Sequence, residues 1–336
     1  MNQLQTISKH RSLLMGVSIL FIMLFHSRTL TNLNYSSIPI LNFISQISYG
    51  GVDVFFFLSG FGLYYSSLKK ESIGQFYLKR FIRIYPAYII ALLLNNLLLG
   101  DYSISNYLKE LFALDIWTGN TVPFWYVSGI ILLYLIFPFY IKLFNRKPYL
   151  ATFAAISISF IATITFLKTG VDRWFIILLL TRIPIFFIGI LFGKLSLNKG
   201  MNTVKLKISL YILTIIGFIL LYISLNNPFL SRYLWKGLLW YPFILITPGF
   251  ALLLSAMFEK YIKGNSIQCI FLFFGKISLE LYLIHTIFFI FIDSISTIYN
   301  INLWLMTLIM TIVSIICAYV LHIGTNKIIL LAKKTL

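Results

Sequence analysis

Two groups able to move a proton fall toward one end of neighbouring apolar runs. His26 lies near the end of the run 12–28, and Asp53 lies a few residues into the run 47–66. An ionisable residue inside a bilayer-length apolar run costs at least ~2.5 kcal/mol on insertion scales, so each one calls for a partner or a purpose. The short connection between these runs would bring the two to similar depth, where a carboxylate can fix an imidazole tautomer and raise its basicity, as a base for acyl transfer requires. The same residues also fit an interfacial His and a helix-end Asp, each wetted by lipid headgroups, and their types and spacing do not choose between the readings.

Further polar positions repeat this pattern. Ser278, Tyr282 and His285 are spaced four and three apart, which puts them on one stripe of a helix. Such a stripe would line a cavity or tie helices together by hydrogen bonds. Arg182 and Pro184 point to a kinked, hydrated interior, or to a snorkelling or paired arginine. Arg80 and Arg83 are three apart, so both guanidinia share one helix face, an arrangement suited to phosphate oxygens. Anchoring at the membrane surface would also place basic residues there.

Composition dictates what must hold these residues. Of 336 residues, 60% are apolar and 11% are charged, a balance outside that of soluble domains, and lipid must be the solvent. The net charge of +18 is spread through short connections instead of one face or arm, which argues against nucleic acid as a partner. Cys269 and Cys317 lie in apolar runs without partners at ligand spacing, so no metal site is expected. Lys9 and Arg11 precede the first apolar run as in a signal peptide, but no small-x-small cleavage site follows, and the run reads as a first transmembrane helix.

About 20 apolar residues cross a hydrocarbon core. The sequence predicts ten such spans, over 12–28, 47–66, 83–100, 124–143, 148–167, 174–194, 206–224, 237–257, 275–293 and 301–323. The ninth has the least defined start, because the apolar stretch 267–274 precedes Gly275 and Lys276 and fits a broken or re-entrant segment. A short interfacial helix is expected near 106–114, within the polar stretch that carries Asp101, Lys109, Glu110 and Asp115. Alternate segments, counted from the N-terminus, hold twenty of the 27 Lys and Arg. The opposite set holds Arg28, Lys109, Lys168, Arg173, Arg232 and Lys236, while Arg182 falls within a span. The positive-inside rule then puts both termini in the cytoplasm and requires an even number of crossings. The expectation is an all-α integral membrane protein of about ten transmembrane helices in one bundle, a single domain over 1–336.

Five segments taken in order resemble acyltransferase family 3, membrane proteins that O-acylate bacterial surface polysaccharides and some other acceptors. They are residues 16–26 (GVSILFIMLFH), 50–62 (GGVDVFFFLSGFG), 76–86 (FYLKRFIRIYP), 124–138 (FWYVSGIILLYLIFP) and 278–285 (SLELYLIH). The resemblance implies a ten-helix core in a bacterial plasma membrane, His26 as a catalytic residue, and a cytoplasmic donor site involving Arg80 and Arg83; Asp53 and His285 match recurrent family positions, and Asp53 is expected to be catalytic together with His26. The donor implied is acetyl-CoA or another acyl-CoA, with no permanently bound cofactor. The acceptor implied is a hydroxyl of a glycan or lipid-linked saccharide, with polysaccharide-assembly proteins as further partners. Ser278, Tyr282, His285 and Arg182 stand as cavity-lining candidates.

Two positions depart from the family pattern. Relatives usually carry a basic residue eleven positions before the first-span His, where this chain has Met15; Arg11 lies one turn earlier on the same face and leans toward the N-terminus, away from His26. Many relatives carry Glu shortly after the span-4 Trp, where this chain has Ile130 and Ile131. No SGNH hydrolase-like domain of the kind fused to some relatives is expected. Two other readings are a transporter of glycans or lipid-linked sugars, which inverted repeats would favour and none supports, and an inactive relative, motivated by Met15.

Overall fold

Ser72 and Gln75 form a capping box: the Gln75 amide donates to Ser72 Oγ at 3.2 Å, and the Ser72 amide donates to Gln75 Oε1 at 3.3 Å. This starts a helix about ten residues before the expected span at 83, and Gly100, at φ 70°, ends it in the left-handed conformation a helix C-cap favours. Arg80 and Arg83 therefore sit inside a continuous helix, Ile73–Leu99.

The computed structural model describes residues 4–69, 71–100, 103–114, 116, 124–169, 174–198, 203–228, 238–262 and 264–334. Lys70, Arg173, Lys199, Arg232, Lys236 and Lys263 of the charge count, and Asp101 and Asp115, lie outside the described residues. The described residues form helices without strands: α1 (Gln5–Lys9), α2 (Arg11–Thr29), α3 (Pro39–Ile47), α4 (Gly51–Ser67), α5 (Ile73–Leu99), α6 (Ile104–Leu111), α7 (Trp125–Arg146), α8 (Pro148–Thr169), α9 (Trp174–Leu195), α10 (Thr203–Asn226), α11 (Phe243–Met257), α12 (Ser266–Lys276), α13 (Ser278–Ile290), α14 (Ile292–Tyr299) and α15 (Leu303–Lys334).

Among the described residues, nine helices are long and apolar enough to cross a membrane, and the chain is a multi-pass membrane bundle. The expected ninth span is instead two helices, α12 and α13, bent by 74° at Ile277; counted as one broken span, they make ten. Ser278 Oγ donates to the Gly275 carbonyl at 3.1 Å across the break. The expected interfacial helix is α6, which starts two residues early because Ser103 Oγ caps it by accepting from the Asn106 amide.

Lipid offers no hydrophobic drive between helices, so close backbone contact at small residues must hold them. On α4 and α9 that contact is Gly60 against Gly189: a Cβ on Gly60 would strike the Phe186 carbonyl, and one on Gly189 would strike that of Phe57. On α2 and α12, Gly16 and Gly275 do the same work against Phe271 and Ser12. The outer faces of α8, α10 and α15 expose Phe153, Ile215 and Val320, as lipid-facing helices should.

Candidate active site

The bend at Ile277 lets α13 lie against α2 and brings together two histidines 259 residues apart in sequence. His26 Nδ1 stands 2.7 Å from His285 Nε2, with the rings stacked at 5.0 Å and 20°. His285 Nδ1 lies 2.7 Å from the Leu281 carbonyl one turn earlier. A carbonyl only accepts, so His285 Nδ1 carries the proton and, in the neutral ring, Nε2 presents a lone pair. His26 Nδ1–H then donates to that lone pair, and His26 is left with its own lone pair on Nε2. His285 is fully buried, whereas His26 is partly exposed.

The structure does not pair His26 with Asp53. Asp53 faces Arg182, with Nε and Oδ2 3.8 Å apart and both residues almost completely buried. The cause lies in the glycine contact. Gly60 is seven residues after Asp53 and Gly189 seven after Arg182, two turns in each case, so each pair shares one helix face. Where the two glycines press together, the charged residues two turns back must meet. Arg182 is further held by Nη1 donating to the Leu178 carbonyl at 3.2 Å, and its guanidinium lies 5.2 Å from the Trp125 ring centre and 4.9 Å from that of Trp240. It ties α4 to α9.

Ser278 and Tyr282 do line a cavity, of about 720 Å³. Arg11, Lys79, Arg80, Arg83 and Lys276 give it a cationic end, and Tyr126 and Tyr282 wall it further in. These two tyrosine rings meet edge to face at 5.4 Å, and the Tyr126 amide donates to Tyr282 Oη at 3.3 Å. His285 follows Tyr282 by one turn, its ring 6.2 Å away, so the tyrosines stand between the cavity and the histidine pair. Fifteen residues of α2 separate Arg11 from His26, ~22 Å at the helical rise. Arg80 is oriented by Nη2 donating to Ser66 Oγ at 2.9 Å and by the rings of Phe76 and Tyr134 at 5.2 and 5.8 Å.

Met15 and Ile130, the two departures from the family pattern, both lie on the wall of this cavity. Sequence reasoning passed over Glu280, His322 and Asn326, which lie there too. His322 Nδ1 donates to Glu280 Oε1 at 2.9 Å, Thr325 Oγ1 donates to the same oxygen at 3.3 Å, and Asn326 Nδ2 lies 2.7 Å from His322 Nε2. The signal available was a cluster of three polar residues inside the last long apolar run.

The arrangement provides a hydrogen-bonded histidine with a free lone pair and, on the other side of Tyr126 and Tyr282, a cavity whose far end carries cationic side chains. A family model described as an acyltransferase domain, that of acyltransferase family 3, matches residues 13–323. The chain is also similar to acyltransferase MdmB of Streptomyces mycarofaciens, 28% identical over 113 residues, a match that spans 29% of this chain and 29% of that protein. No solved structure matches the chain. With the matched region spanning most of the sequence, the chain belongs to acyltransferase family 3.

Proposed function

We propose that the protein moves an acyl group, acetyl in the simplest case, from cytoplasmic acyl-CoA to a hydroxyl of a surface or exported polysaccharide, in a bacterial plasma membrane with both termini cytoplasmic. The observation that carries this reading is the chain Leu281 carbonyl, His285, His26, which leaves His26 Nε2 unprotonated. His26 Nε2 takes the proton of the acceptor hydroxyl as its oxygen attacks the thioester carbonyl carbon. The C–S bond breaks, the thiolate of coenzyme A leaves, and it takes the proton from His26, so that an ester and a thiol form and the base is restored. His285 accepts from His26 throughout and holds the ring in place.

The cationic end supports the donor. Arg80 and Arg83 suit the phosphates of coenzyme A, and its long pantetheine arm suits a site whose anion-attracting end lies a span's length from the base. Charge supports the orientation, since the arginines of this end belong to the basic-rich set of segments. Mass spectrometry of surface glycans from cells with and without the protein tests the reading. Loss of an O-linked acyl group is expected, and an unchanged glycan would refute the polysaccharide acceptor.

A further inference from the structure

Arg11 begins α2, and its side chain reaches the cavity that holds Arg80 and Arg83. Its Nε is buried without a hydrogen-bond partner, as is that of Arg80. Among the described residues, no ion pair involves Arg11, Arg80 or Arg83. The carboxylate in the cavity wall, Glu280, is turned to His322 and Thr325, and Lys79 is paired with Glu71 at 2.9 Å. Three guanidinia thus converge without a counter-ion from the described residues, an arrangement that like-charge repulsion opposes unless an anion completes it.

Two features shape the space around them. The Arg11 guanidinium packs over Gly62, where a Cβ would stand 3.0 Å from Nη1, so the missing side chain is what lets the head group lie there. The N-terminus of α13, a helix of 13 residues, opens on the same cavity through Ser278 and Leu279, and Ile277 gives it no side-chain cap. First-turn amides of a helix lack intrahelical acceptors and favour anions. The lean of helical side chains toward the N-terminus, which takes Arg11 away from His26, is what carries it to the Arg80 end of the cavity.

We propose that Arg11 completes, with Arg80 and Arg83, a three-guanidinium seat for a multiply charged phosphate group, which on the acyl-CoA reading is the phosphate-bearing end of the donor. The proposal rests on that reading for the donor's identity and on the geometry alone for the anion. Met15, one turn further along α2, then leaves the wall apolar where the acyl-bearing arm runs.

Titration of the detergent-solubilised protein with coenzyme A, phosphate-free pantetheine and inorganic pyrophosphate tests the seat, with folding checked by a melting profile. Arg11→Gln should weaken coenzyme A binding about tenfold or more, the scale of a lost charge-assisted hydrogen bond, and leave pantetheine binding as in the wild type. Equal coenzyme A affinity in a folded Arg11→Gln protein overturns the proposal. Should that variant fail to fold, Arg11→Lys keeps the charge and removes the fork: weaker coenzyme A binding is expected, and unchanged affinity overturns the seat. If the wild type binds pyrophosphate but not coenzyme A, and Arg11→Gln loses the pyrophosphate, the seat stands and the acyl-CoA reading falls.

Discussion

His26 Nδ1 and His285 Nε2 stand 2.7 Å apart, and because the second ring is tied by its other nitrogen to the Leu281 carbonyl, the proton between the rings has one place to sit. In the proposed mechanism this tie would make His285 a positioning residue for His26, and substitution can separate the two ends of its ring. Gln at 285 carries a carbonyl about where Nε2 lies and can still accept from His26, whereas Asn is too short to reach it. His285→Gln should keep a substantial part of the acyl transfer, while His285→Asn should lose about 10²-fold, the lower range for a misdirected general base. Equal activity in the two variants would remove the tautomer role.

Asp53 and Arg182 give a prediction about stability. Removing one partner of a buried pair strands a charge at a cost of ~3–5 kcal/mol. Asp53→Asn and Arg182→Met should each lower the melting temperature of the solubilised protein sharply, and the double variant should fall less than the two losses added together. Additive losses would show that the two residues are not coupled.

The spans were legible in the sequence because hydropathy windows report lipid directly, and the break in the ninth was visible as Gly275 and Lys276 within an apolar stretch. The start of α5 was missed because hydropathy ignores the Ser72 cap that carries the helix beyond the apolar core. The pairing of sites was less legible. The placement of Asp53 opposite Arg182 is written in two matching seven-residue intervals to Gly60 and Gly189, but only once α4 and α9 are known to touch. His26 and His285 had no such signal, since periodicity identifies a face and not the helix it meets.

Gly189 supplies a contrast. Gly189→Leu must drive a side chain into the Phe57 carbonyl on α4 and should abolish folded yield. Gly74→Ala, where the added methyl meets open space, should leave yield unchanged. Size-exclusion profiles compare them, and a normal profile for Gly189→Leu would contradict the close backbone contact.

Arg80 and Arg83 separate recognition from anchoring. The double Arg→Lys variant keeps the positive-inside signal, which counts Lys and Arg alike, but loses the planar fork that holds phosphate bidentately. Acetyl-CoA titration of the folded variant should show clearly weaker binding. Affinity equal to that of the wild type would refute the phosphate clamp.

The base itself is tested most directly by measuring O-acyl content of the surface glycan in cells carrying His26→Ala at wild-type protein level. A general base contributes about 10²- to 10⁴-fold, so acylation should fall to background while the protein still folds and inserts. Acylation at the wild-type level, with the variant's abundance verified, would contradict the assignment of His26 as the base.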